Sequence, residues 1–143
     1  MKKQPKYNIP EFFKGKIGQV AYNRWLSRKA SAHVKRDRNR GFKNATIAEY
    51  KQAIHEAVTR SKGKDEYTGW ELDWHKINTY RNDEARREGS SYMKNFSKLP
   101  TVDHSSPGVV KFKICSLIIN DMKSYLTLSE FKKNCRAVLD HRN

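Results

Sequence analysis

From Ile17 onward, apolar residues recur at three- and four-residue spacing: Ile17, Val20, Ala21 and Trp25, with Leu26, Ala30 and Val34 on an adjoining stripe. That period predicts an amphipathic helix, and Gly41 offers its stop. Thr46 with Glu49 three residues on writes a capping box for a second helix. Its stripe is Ile47, Tyr50, Ile54, Ala57 and Val58, and Gly63 is placed to cap its C-terminus. Aromatic residues on both sides of Thr68-Gly69 predict a short hairpin or extended turn near 65–75. Residues 76–96 predict a polar helix anchored by Ile77, Tyr80, Ala85, Tyr92 and Phe96, with a break at Gly89-Ser90-Ser91. The period then changes. Residues 99–104 predict a strand, Ser105-Ser106-Pro107-Gly108 a turn, and residues 109–115 the returning strand. Ser116 is placed to cap a helix over 117–124, and Thr127 with Glu130 a last helix with the stripe Leu128, Phe131, Cys135, Val138 and Leu139.

These elements make an α+β chain, mostly helical, with basic N-terminal helices ahead of a strand–turn–strand–helix unit. We divide it into an N-terminal arm over 1–16, tail-like or loosely docked, a helical region over 17–98 and a C-terminal unit over 99–143. Its 143 residues bound it to one compact domain, or one with a small appendage. The 36% of hydrophobic residues make a lean core, while 11% aromatic residues argue that the chain folds.

Charge narrows the partner. Thirty Lys and Arg against fifteen Asp and Glu leave a net charge of +15, of which +11 falls in residues 1–60, +1 in 61–100 and +3 in 101–143. Such an excess calls for a polyanion, nucleic acid or an anionic surface. The first predicted helix carries Arg24, Arg28, Lys29, Lys35, Arg36, Arg38 and Arg40 beside or opposite its apolar stripe, and these are the candidate phosphate contacts. Leu117-Ile118-Ile119 is the longest strongly apolar run, far short of the ~18–20 residues of a membrane-spanning helix. The basic start Met1–Lys6 leads into no apolar stretch of a secretory signal. Cys115 and Cys135 form no disulfide framework and no CxxC zinc pair, so we expect both reduced and buried in a cytoplasmic protein.

The C-terminal unit carries the chemistry. Val102-Asp103-His104 ends the first strand, Pro107-Gly108 turns the chain, and Asn120-Asp121-Met122-Lys123 lies on the following helix. This order of residues, in this context, resembles the HNH (His-Me finger, ββα-metal) nuclease motif, over about residues 99–126. The resemblance implies a metal-dependent endonuclease that hydrolyses DNA phosphodiester bonds, leaving 5′-phosphate and 3′-hydroxyl ends. His104 is then the general base, a task suited to an imidazole near neutral pH. Asp103, on the opposite face of the strand, and Asn120 hold one divalent ion, Mg²⁺ or Mn²⁺, in keeping with hard oxygen donors. Lys123, one turn beyond Asn120, offers charge to a flanking phosphate. Double-stranded DNA is the implied partner, and a palindromic target would call for a homodimer, because one such site cuts one strand.

Two positions depart from the family pattern. Lys111 stands where the family usually has a bracing Asn, so the brace for His104 must come from elsewhere or from a backbone carbonyl. Tyr67-Thr68-Gly69 stands where many relatives have the first half of a zinc site; no structural zinc is expected here, and Trp70, Leu72 and Trp74 are the candidate packed staple. Among the other histidines, His33 in the basic helix is expected to touch phosphate or solvent, His55 sits within the second helix, and His75 and His141 have no metal-like spacing to one another; a structural or solvated role is expected of each. Two alternatives stand beside the nuclease: a non-catalytic DNA- or RNA-binding protein on a degenerate HNH scaffold, and a ribosome-associated basic protein.

Overall fold

The computed structural model describes residues 6–142. Among these residues, six α-helices and one two-stranded antiparallel sheet make a mostly helical α+β fold. The order is α1 (Gln19–Asn39), α2 (Ile47–Ser61), α3 (Asn82–Glu88), α4 (Ser90–Asn95), β1 (Pro100–His104), β2 (Phe112–Ser116), α5 (Leu117–Lys123) and α6 (Leu128–Asp140). No described helix is long and apolar enough to cross a membrane.

α1 and α2 pack against one another, α2 lies on β2, and α1 touches β1. The buried stripe of α1 runs through Tyr22, Trp25, Leu26, Ala30, His33, Val34 and Asp37. Val20, expected on that stripe, is 72% exposed: the helix begins at Gln19 rather than Ile17, and Val20 stands on its solvent side while Tyr22 takes the buried position. The tail-like reading of the arm changes too, for its described part. Tyr7 and Phe13 are buried, and Phe13 packs on Trp74 at 4.4 Å between ring centroids. Trp74 meets Trp25 edge-on at 5.1 Å, and its indole N–H donates to the Gly63 carbonyl at 2.9 Å. Aromatic rings thus supply much of the burial that a lean composition leaves scarce. Residues 1–5 of the arm lie outside the described residues.

α2 starts at the expected cap, with the Thr46 hydroxyl accepting from the Glu49 backbone N–H at 3.3 Å. The predicted break at Gly89 is present, with φ +69 between α3 and α4. Near 65–75 there is no full hairpin but one bridge, Lys64 to Glu71, around a tight turn. Asp65 holds that turn. One of its oxygens accepts from the backbone N–H groups of Tyr67 (2.7 Å) and Thr68 (3.0 Å), and the other from Ser116 (2.8 Å). Glu66 accepts from the Ile114 N–H at 2.8 Å while its own N–H donates to the Ile114 carbonyl, and Arg60 clamps Glu66 and the Phe112 carbonyl. Of the expected aromatic staple, Leu72 and Trp74 are buried, but Trp70 is 42% exposed, with Lys98 over its ring. Two carboxylates accepting backbone N–H bonds therefore fasten this loop to β2.

β2 begins at Phe112 rather than Val109, because Val109–Lys111 are spent on the turn, where Val109 N–H donates to Ser106 and Lys111 N–H to Val109. The Ser116 and Thr127 caps of α5 and α6 form as predicted, the latter as a full capping box. The stripe of α6 does not behave as predicted. No residue of α6 is buried, and Val138 and Leu139 are 65% and 81% exposed. Its face meets too little of the other described elements for the apolar pattern to be used. Cys115 is buried, but Cys135, on that same stripe, is only half-buried.

Candidate functional site

Adjacent strand residues project to opposite faces, so Asp103 and His104, at the end of β1, enter different surroundings. His104 pairs across the sheet with Phe112 and stacks on its ring at 4.7 Å between centroids. Its Nε2 lies 2.5 Å from the Val109 carbonyl oxygen, which can only accept, so the proton of the neutral ring sits on Nε2. Nδ1 is then the basic nitrogen. The brace left open by Lys111 is a backbone carbonyl in the turn between the strands.

Nδ1 faces α1, where it lies 3.6 Å from Oδ2 of Asp37. Asp37 is fully buried and accepts the Tyr50 hydroxyl of α2 on that same oxygen, while Oδ1 has Arg40 at 3.7 Å and no hydrogen bond among the described residues. Burial first, and the Asp37 carboxylate second, push the Tyr50 phenol up to about 12, so it stays a donor. His33 fills the next position on this wall. It is buried, edge-on to His104 at 5.5 Å, and its Nε2–H donates to the Val102 carbonyl at 3.1 Å. Burial, then the charges of Arg36 and His104, lower its pKa to about 4, which makes it a neutral strut rather than the expected phosphate or solvent contact.

On the opposite face, Asp103 is 8% exposed. Its Oδ2 accepts the Tyr67 hydroxyl at 2.5 Å and lies 3.0 Å from Lys123 Nζ. Burial, reinforced by Asp103, raises the Tyr67 pKa, so this hydroxyl also stays a donor. Lys123 is placed here by α5, whose first turn is pinned by the Ser116 cap, and it is buried rather than reaching for solvent.

Both faces open into one cleft of about 740 Å³ at the end of the strands. His104, Asp103, Asn120 and Lys123 all line it, together with Arg36 and Arg40 at the end of α1. The other predicted phosphate contacts do not. Arg28 donates to the Asn78 side chain, and Arg38 donates twice to the Ala45 carbonyl, at 3.0 and 2.7 Å. Lys29 donates to Thr101 Oγ1 at 3.2 Å, and burial, with Arg28 and Arg36 nearby, lowers its pKa to about 8. Arg24 and Lys35 are exposed on α1, away from the cleft lining. Part of the basic density is thus engaged by neighbouring segments of the protein, away from the cleft.

As a seat for a divalent ion, the cleft offers one Asp103 oxygen that receives no hydrogen bond among the described residues, and the amide of Asn120. Two hard oxygen donors in one open cleft fit an ion that keeps most of its water and takes the rest of its shell from phosphate. No group of three or more His, Cys, Asp or Glu gathers for a metal among the described residues. The Lys123 ammonium sits closer to Asp103 than the expected role, a contact to a flanking phosphate, requires.

Two contributors escape a reading of the sequence alone. Asp37 is the one acid between Ile17 and Arg40, and it continues the Leu26–Ala30–Val34 stripe by three residues; an acid at the next buried position was a legible signal. Tyr67 reaches Asp103 across 36 residues of chain, with no local pattern to announce it. Compared with protein-family models, with curated proteins and with solved structures, the chain matches none.

Proposed function

We propose that this protein is a metal-dependent endonuclease of the HNH type, hydrolysing DNA phosphodiester bonds to 5′-phosphate and 3′-hydroxyl ends. The observation that carries this reading is the convergence of Asp103, His104, Asn120 and Lys123 in one cleft, with the His104 ring fixed by the Val109 carbonyl so that Nδ1 is its basic nitrogen.

The division of labour follows from the two faces of β1. His104 Nδ1 takes a proton from the attacking water, and the Asp37 carboxylate 3.6 Å away faces the positive ring that results. Asp103 and Asn120 would hold a Mg²⁺ or Mn²⁺ ion, whose chemistry is charge neutralisation at the scissile phosphate and at the departing 3′ oxygen. Arg36 and Arg40 line the cleft and present charge to the neighbouring backbone, while the exposed Arg24 and Lys35 extend the basic face along α1.

His104→Ala is expected to lower plasmid nicking in Mg²⁺ or Mn²⁺ by about 10²–10⁴-fold and to leave duplex binding in place, with EDTA abolishing nicking by the wild type. Equal nicking by the two proteins would overturn the reading. One observation favours a second reading, a non-catalytic DNA- or RNA-binding protein on a degenerate HNH scaffold: Asp103 already has Lys123 and Tyr67 as partners. That protein would bind nucleic acid in a salt-sensitive way without metal-dependent cleavage, and competition among duplex DNA, single-stranded DNA and RNA would name its ligand.

A further inference from the structure

Lys123 is the cleft residue whose position agrees least with a simple metal seat. Its Nζ lies 3.0 Å from Asp103 Oδ2, and the two side chains are only 7% and 10% exposed. The Tyr67 hydroxyl donates to the same oxygen at 2.5 Å, and the Lys123 ammonium lies 6.0 Å from the centre of the Tyr67 ring. The carboxylate is therefore neutralised and anchored before any ion arrives. A divalent ion added to this arrangement meets a fixed positive charge a few ångströms away, with Arg36 and Arg40 lining the same cleft. Repulsion at such range is large in a partly desolvated site. Metal and lysine together leave two positive charges unmatched around one carboxylate; a phosphodiester in the cleft removes one of them. It also gives the ammonium somewhere to go, since lysine is a point charge on a flexible stem. Tyr67 is uncharged and its hydroxyl stays bonded to Asp103 after the ammonium leaves, so the carboxylate keeps its aim.

We propose that Lys123 is the resident counter-ion of Asp103, and that the cleft takes up its divalent ion together with a nucleic-acid phosphate rather than before it. This rests on the nuclease reading of the cleft and adds an order of loading to it.

The test is Mn²⁺ binding to the full chain, followed by the electron paramagnetic resonance signal of free Mn²⁺, with and without a phosphorothioate DNA duplex. Wild type, Lys123→Arg, Lys123→Met and Lys123→Gln are compared, each checked for folding by circular dichroism. Lys123→Gln retains an amide donor for Asp103 should Lys123→Met lose the fold. Wild type and Lys123→Arg are expected to bind Mn²⁺ weakly alone and about tenfold or more tightly with duplex. The two neutral variants are expected to bind Mn²⁺ alone about tenfold or more tightly than wild type, and to gain little from the duplex. Neutral variants that bind Mn²⁺ alone no better than wild type overturn the counter-ion role. If that happens while wild type still nicks DNA in a metal-dependent way, the nuclease reading survives. If no protein takes up Mn²⁺ even with duplex, both fall together.

Discussion

The cleft has two walls of different construction. Its back wall is α1 with α2 behind it, where His33, Asp37 and Tyr50 are buried behind His104, His33 bonded to the Val102 carbonyl and Tyr50 to Asp37. Its front leads through Ser124–Thr127 into α6, a helix with a full capping box and a regular apolar stripe but no buried residue. The two helical regions are both amphipathic in sequence, yet only one finds a tertiary partner. Helical pattern and caps suffice to make a helix; burial requires a complementary surface. The His104 ring is thus held from behind by a buried layer, while the entrance is bordered by an element that contributes little to the core.

Acid titration separates the walls most sharply. The folded state holds His33 at about 4, against about 6.5 in the unfolded chain, because burial disfavours the charged ring. Between those values the unfolded state binds more protons, so stability is lost as pH falls from about 6.5 to about 4, on the order of 3 kcal/mol in all. His33→Gln is expected to flatten that part of the profile, read from urea midpoints at successive pH values. An unchanged profile would mean that the back wall tolerates the charge.

A smaller effect, on rate rather than stability, is expected of Asp37→Asn. Asparagine keeps an oxygen for the Tyr50 hydroxyl but removes the negative charge facing His104 Nδ1. Nicking should fall by about 10²-fold with duplex affinity unchanged; a rate equal to wild type would make Asp37 scaffold alone. The smallest effect belongs to the front. Val138→Ser combined with Leu139→Ser should shift the unfolding free energy by no more than about 0.5 kcal/mol. A loss of several kcal/mol would show that α6 is packed after all.

The same contrast explains what the sequence could disclose. Caps and breaks are local, and Thr46, Gly89, Ser116 and Thr127 stand where their side chains or glycine freedom place them. The Asp103–His104 doublet and Asn120–Lys123 were legible for the same reason, as spacings within one strand and one helix. What the sequence could not disclose depends on distant parts of the chain meeting. Lys123 follows Asn120 by one turn, but its partner is chosen by the packing of α5 on β1 and by Tyr67 arriving from the 64–71 loop. Arg28 and Arg38 look like their neighbours along α1, and only the presence of Asn78 and of the Ala45 carbonyl gives them protein partners. The α6 stripe has the period of a core face, but periodicity records capacity for burial, not its occurrence.

The Val109 carbonyl that steadies His104 has a consequence for how this site could change over time. The Val109 side chain is exposed, 43% by surface, and has no part in the contact. Many residues could stand there without disturbing the ring, so the position is free in its letter and fixed in its path. The sensitive point is instead Gly108, one residue earlier, where a φ of +77 strains any other residue and an added Cβ would run into the Phe42 ring. A catalogue of variants built on amino-acid identity would score position 109 as idle and position 108 as a mere turn. The orientation of the candidate base would be inherited through the shape of a loop.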